Sequence, residues 1–458
     1  MVQIAFIPID NRPVCYTLAQ QIADIDDDLH LFLPGRNLLG DLTKTADVQG
    51  ILDWLENLHE VDKVIVSLDT IAYGGLVPSR RCNDKFEQIV ERLEKFKKIL
   101  EKKNAQVYAF SSIMRISNNN CNEEEKEYWS MYGKEIFKYS FDYHKNGYAK
   151  TNVPSEILDD YLKTRNRNFE INKLYIKWSE ENFFNTLVFS KDDCAEYGLN
   201  VAEAKVLNIN IAANKLNALI KTGADEIPLT LLARAIAEEK KLKIAPVFTQ
   251  PDFVDKISKY EDVSVYDSVK GQIELAGAEV SSQEDADIVL LVNNFKNEQG
   301  ELVMDVDVEG FSGNLQIPQK FYFVADILNA NGADNCFVEK FFENKIDWNN
   351  FLGYGGWNTT GNTLGSIICC AFVKYLAKNP DMNAFKKVQA VRFLDDWAYQ
   401  ANVRKILKSR LKSINIDELE KEMKPYEGFL EEKFDVKFPK IKYSYPWNRF
   451  FEIEVDIL

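Results

Sequence analysis

Ten short runs of apolar, β-branched and aromatic residues recur along the chain, at residues 4–9, 31–33, 64–68, 107–110, 186–189, 218–221, 244–248, 288–292, 321–325 and 351–354. Most of them are separated by stretches in which apolar residues return every three to four positions, as at 87–100, 201–216 and 363–376. A run that is apolar on both faces and alternates with helices reads as a strand of a parallel sheet covered on both sides. The pattern predicts an α/β protein of parallel β/α units, folded as doubly wound Rossmann-like lobes or as a (β/α)8-like barrel with additions.

Two stretches break the alternation. Residues 122–182 are long, charged and aromatic, and the Glu-Glu-Glu-Lys-Glu-Tyr-Trp sequence at 123–129 reads as the opening of a helix. This is a helical insertion, either a stiffener of the body or a substrate-facing lid. Residues 383–440 are mostly helical in pattern and give way at 441–457 to closing strands or loops. The expected organisation is an α/β first part at 1–121, the insertion at 122–182, an α/β continuation at 183–380 and a helical C-terminal region at 381–458.

Composition narrows the chemistry. A formal charge of -15 argues against a nucleic-acid or anionic-membrane surface, which needs a basic footprint. No run approaches the ~18 apolar residues of a membrane span, and no basic segment precedes an apolar one at the start of the chain. Seven cysteines without a C-x-x-C pair fit reduced thiols, so a cytoplasmic setting is expected. The three histidines, His30, His59 and His144, are scattered, which leaves carboxylates, amides and arginines as the groups able to do chemistry.

Parallel α/β folds bind ligands where their strands deliver their carboxyl ends. The residues following the predicted strands are unusually polar. They include Asp10 and Arg12, then Asp69 and Tyr73, then Arg115, Asp192 and Asp193, Asp225 and Glu226, Asp326, and finally Trp357 and Asn358. One Asp after a strand is an ordinary helix cap. Acids at five strand ends, with Arg, Asn and Gly beside them, point to a shared polar cleft. Arg12 and Arg115 suit bidentate recognition of a carboxylate, phosphate or hydroxyls, or else structural ion pairing. Tyr73 and Trp357 suit stacking on a sugar face, or plugging a core. Walker, G-x-G-x-x-G, G-x-S-x-G and H-E-x-x-H motifs are absent.

Taken together, these motifs resemble a bacterial family catalogued only as domain of unknown function 4127. The resemblance runs from Pro8-Ile9-Asp10-Asn11-Arg12-Pro13 to Pro446-Trp447-Asn448-Arg449-Phe450-Phe451-Glu452. Its most specific stretch is Asp69-Thr70-Ile71-Ala72-Tyr73-Gly74-Gly75-Leu76-Val77-Pro78-Ser79-Arg80. Asn11 and Lys191 depart from the family pattern, where a second Asp and a Gln are common. The resemblance implies a common architecture and no particular reaction.

Three functions are consistent with these residues. Glycosidic cleavage needs two carboxylates and neither histidine nor metal, which makes a glycoside hydrolase acting on a small sugar or amino-sugar conjugate the leading expectation. Asp69 and Asp193 are the expected catalytic pair. Asp10, Arg12, Tyr73, Arg115, Asp192, Asp225, Glu226, Asp326, Trp357 and Asn358 are the expected substrate contacts. A second reading adds Mg²⁺ or Mn²⁺ on the oxygen ligands of Asp10, Asp69, Asp193 and Asp326, for phosphoryl or sugar-phosphate chemistry. A third is a non-enzymatic intracellular sugar-binding protein.

Overall fold

The computed structural model describes residues 1–192, 194–238 and 240–458, and each of the ten apolar runs forms a strand. The strands sort into two separate parallel sheets in two units. One unit comprises Met1–Asn11, His30–Leu231 and Tyr260–Asp262, and the other Arg12–Leu29, Leu232–Lys259 and Val263–Leu458. Neither sheet closes on itself, so the architecture is Rossmann-like rather than a barrel.

The first unit contains β1 (Val2–Ile7), β2 (Leu29–Phe32), β3 (Lys63–Ser67), β4 (Gln106–Ile113), β5 (Thr186–Lys191) and β6 (Ala218–Thr222), in the order β2-β1-β3-β4-β5-β6. The pairs from β1 through β6 are all parallel. β3 is buried along its whole length, as expected of a strand covered on both faces. β4 outruns β3. Ser67 at the end of β3 pairs with Phe110, while Ser111, Ser112 and Ile113 continue beside Phe189, Ser190 and Lys191 of β5. The overhang lays the backbone of Ser112 alongside the residues that follow β3.

The 122–182 insertion is part of this unit and is helical over Trp129–Asn146 and Ser155–Glu180. Its helices and the turn between them pack Trp129, Ile136, Val153 and Tyr161 against Met114 and Ile116, just after β4. The acidic run preceding Trp129 is not helical as the sequence suggested. Its carbonyls are taken by arginines instead. Arg81 donates to the carbonyls of Asn122 and Glu125, and Arg80 to that of Glu124. The long second helix also braces the site. Arg167 and Asn168 bond to the Ser79 carbonyl at 3.1 and 2.9 Å, and Ser111 donates to Asn172 at 2.8 Å.

The second unit contains β7 (Lys243–Phe248), β8 (Glu279–Val280), β9 (Ile288–Asn293), β10 (Gly300–Glu301), β11 (Tyr322–Asp326), β12 (Asn329–Ala330), β13 (Phe351–Gly355), β14 (Ile441–Ser444) and β15 (Glu454–Ile457). Five of these form a sheet in the order β13-β11-β9-β7-β8. The helix Thr360–Leu376, buried from Thr360 to Lys374, packs on β11 and β13, which is why its sequence is apolar around most of its circumference. The C-terminal region runs through the helices Met382–Arg392 and Ile416–Phe434, with a π-helix at Phe393–Val403 between them. It docks through aromatic rings, Phe393 stacking on Tyr354 at 4.3 Å and 13°. The antiparallel pair β14–β15 ends the chain.

The short helix Leu68–Tyr73 ends at Gly74, whose φ of +87° lets Gly74 and Gly75 return hydrogen bonds to the carbonyls of Thr70 and Asp69. A Cβ at Gly74 would lie 2.9 Å from the Ala46 nitrogen and 3.0 Å from the Thr45 Cβ. Strain and crowding add, so Gly74→Ala is expected to lower stability by about 1–2 kcal/mol or more, measured by urea denaturation.

Candidate functional site

Asp10, Asp69, Arg115, Asp192, Asp225 and Glu226 follow β1, β3, β4, β5 and β6, which are successive neighbours in the first sheet. Their common position at the carboxyl edge of one parallel sheet is where such sheets bind ligands. Asp193 lies outside the described residues. Arg12, Asp326, Trp357 and Asn358 belong to the second unit.

The centre of this edge is an ion cluster. Arg80, with a side chain only 1% exposed, reaches Glu125 at 3.2 Å, Glu124 at 3.3 Å and Asp192 at 3.7 Å. Arg115 reaches the same three carboxylates at 3.1, 2.8 and 3.5 Å. A buried guanidinium costs several kcal/mol unless it is paired and hydrogen-bonded, so the three carboxylates are what makes Arg80 tenable there. Arg115, Glu124 and Asp192 keep 14, 21 and 16% of their side chains exposed, so the cluster opens to water along that rim.

Asp69, whose charge Arg80 favours, is buried. Its Oδ2 accepts the backbone N–H of Ser112 at 2.7 Å, the bond made possible by the overhang of β4. Burial pushes its carboxyl up to about 7, against the opposing pull of the Ser112 and Ser111 donors and of Arg80. A second acidic group occupies the end of β6. The Glu226 carboxyl accepts the Ala224 N–H at 3.1 Å and is held well above the usual range by burial and by Asp225 and Glu261. Beside it the Lys191 ammonium forks onto both oxygens of Asp262 at 2.6 Å.

Tyr73 and Trp357 are both buried, which fits packing better than an open sugar platform. Tyr73 sits beneath the Arg167 guanidinium at 5.4 Å, and Trp357 lies 5.9 Å from Phe451. In the second unit Asp326 closes a buried network. It accepts from Asn293 at 2.9 Å, from the Asp334 backbone at 2.8 Å and from the Tyr354 hydroxyl at 3.0 Å. Burial and the neighbouring Asp334 push it up to about 8. Asp396 of the π-helix accepts the Gly356 N–H and the Arg392 guanidinium, each at 2.7 Å. Asn358 has a φ of +69°, and its side chain accepts the Thr359 N–H at 2.8 Å.

Sequence reasoning passed over Arg80, Glu124 and Glu125. Arg80 ends the most specific motif, and a basic residue eleven positions after a strand-end acid was a usable signal. The two glutamates carried none, because a run of acids ordinarily reads as solvated surface.

Fold and site together define an α/β protein with two Rossmann-like parallel sheets and an acid- and arginine-rich carboxyl edge. The family model described as "Protein of unknown function (DUF4127)" matches residues 4–456, and the chain belongs to that family. Comparison with curated proteins and with solved structures gives no match.

Asp69 makes stability depend on pH with a definite sign. Its folded carboxyl holds a proton up to about 7, against 3.8 as the ordinary value, so between these values the folded state binds more protons. Stability therefore falls as pH rises through that window, by about 4 kcal/mol from this group. Urea denaturation at intervals from about pH 4 to about pH 8 should show Asp69→Asn losing that share of the slope.

Proposed function

We propose that the protein is a hydrolase using paired carboxylates, a glycoside hydrolase acting on a small sugar or amino-sugar conjugate. The observation that carries this reading is the contrast between two acids on one sheet edge. Asp69 is buried with its carboxyl at about 7, while Asp192 is ion-paired to two guanidiniums. A carboxyl that holds its proton can serve as general acid, and a second carboxyl gripped by guanidiniums can serve as its partner. Asp69 would protonate the leaving oxygen, and Asp192 would act as base or nucleophile, with Asp193 the competing candidate for that role. Arg80 and Arg115 fix the ionised partner. Asp10, Asp225 and Glu226, on the same edge, would bind sugar hydroxyls.

The partner in this reading is a small carbohydrate. Among the described residues, no helix is long and apolar enough to cross a membrane. All seven cysteines are free thiols, which supports a reducing, cytoplasmic setting.

The test is a panel of aryl glycosides of common and N-acetylated sugars, assayed with and without EDTA. Hydrolysis of at least one member is expected, with kcat/KM falling above about pH 7 as Asp69 loses its proton. Asp69→Asn should lower kcat by about 10²–10⁴. A loss in Asp192→Asn but not in Asp193→Asn identifies the partner. No turnover of any member overturns the proposal, and activity abolished by EDTA and restored by Mg²⁺ moves the chemistry to a metal.

A further inference from the structure

One face of the helix Trp129–Asn146 borders an open cavity of about 380 Å³, lined by Asn118, Lys134, Glu135, Phe137, Lys138 and Phe141. All six residues belong to the first unit, and none takes part in the ion cluster around Arg80. The segment that carries Asn118 is held close against the helix. At Gly133 an added Cβ would overlap the Asn119 carbonyl oxygen, so only glycine allows that approach. One residue on, the Asn120 side chain accepts the Lys134 N–H at 2.9 Å.

The cavity has an apolar floor and a cationic rim. Phe137 and Phe141, one turn apart, are half-buried with ring centroids 6.3 Å apart. Phe137 packs on the core cluster that contains Met114 and Ile136, which fixes the floor. Lys134 and Lys138 are exposed and also one turn apart, and neither forms an ion pair among the described residues. A third ammonium, that of Lys145, lies 5.6 Å from the Phe141 centroid. Glu135 is the one carboxylate of the lining. The chain as a whole carries -15, so this local excess of cations reverses the prevailing sign and draws an anion.

The chemistry of the lining selects a ligand class. Helical residues four apart hold their Cβ atoms within about 5–6 Å, so the two unpaired ammoniums can close on one anionic group. An ammonium is a compact point charge that meets a phosphate from any direction. Half-buried rings beside it favour a planar apolar body, by stacking or by edge contact. The volume lies near the small end of the range for ligand pockets, about 300–1,000 Å³. We propose that this cavity binds a small aromatic phosphate, a planar ring carrying a phosphate monoester. Lys134 and Lys138 take the phosphate, Phe137 and Phe141 take the ring, and the Asn118 amide takes a polar substituent. This site does not rest on the hydrolase reading.

The test uses the full chain, titrated with phenyl phosphate, benzyl alcohol and inorganic phosphate, and followed by calorimetry and by the ligands' NMR line widths. None of these probes has a glycosidic bond, so binding is read apart from glycoside turnover. Phenyl phosphate should bind, and more weakly as salt is added. Benzyl alcohol and inorganic phosphate should bind at least about tenfold more weakly, since each offers half of the contacts. Lys134→Gln and Lys138→Gln should each weaken phenyl phosphate by about two- to fivefold, and the double variant by more. Phe141→Leu should weaken it by about twofold or more while leaving inorganic phosphate unchanged. Circular dichroism should be unchanged in the lysine variants, whose side chains are exposed. The proposal is overturned if phenyl phosphate does not bind or binds no better than inorganic phosphate. It is also overturned if the double lysine variant binds like the parent, which would place the ligand elsewhere on the chain.

Discussion

A charged guanidinium that is almost wholly withdrawn from water governs the first unit. Arg80 can be buried only because Glu124, Glu125 and Asp192 converge on it from two other segments of the chain. That convergence requires β5 to deliver Asp192, the insertion to return Glu124 and Glu125, and the Gly74–Gly75 turn to redirect the chain from Asp69 toward Arg80. Arg115 then shares the same carboxylates and ties the end of β4 to them. The dry surroundings that make Arg80 expensive also hold a proton on Asp69.

The insertion joins the body of the first unit in two ways. Its helices are packed firmly against residues just after β4, as a stiffener would be. The segment leading into them supplies two of the three carboxylates of the cluster, so the insertion also completes the site. The long second helix buries Tyr161, Ile171, Tyr175 and Trp178, and Arg165 pairs with Glu203 at 2.8 Å.

The strands were legible in the sequence because strands covered on both faces must be apolar throughout, as in the runs at 64–68 and 288–292. β8 was not, being two residues at a sheet edge with little apolar surface. β10 and β12 were missed for the same reason. The strand-end acids were legible because a polar residue directly after an apolar run stands out. Their division between two sheets was not, since strand order depends on which runs pair, and periodicity is silent on pairing. Arg12 illustrates this: it follows β1 by only five residues, yet packs on Trp447 in the second unit. Glu124 and Glu125 were hidden in a charge run whose local pattern predicts a helix start, and arginine bonds to its carbonyls hold it irregular instead.

The central claim is that burial keeps a proton on Asp69 near neutrality at the carboxyl edge of the first sheet. Infrared difference spectra between the native chain and Asp69→Asn, recorded across pH, read that proton directly through the carbonyl stretch of a protonated carboxyl. The account predicts that the Asp69 band is present at acidic pH and disappears around pH 7. A band already gone near pH 4, where ordinary carboxylates ionise, would contradict it.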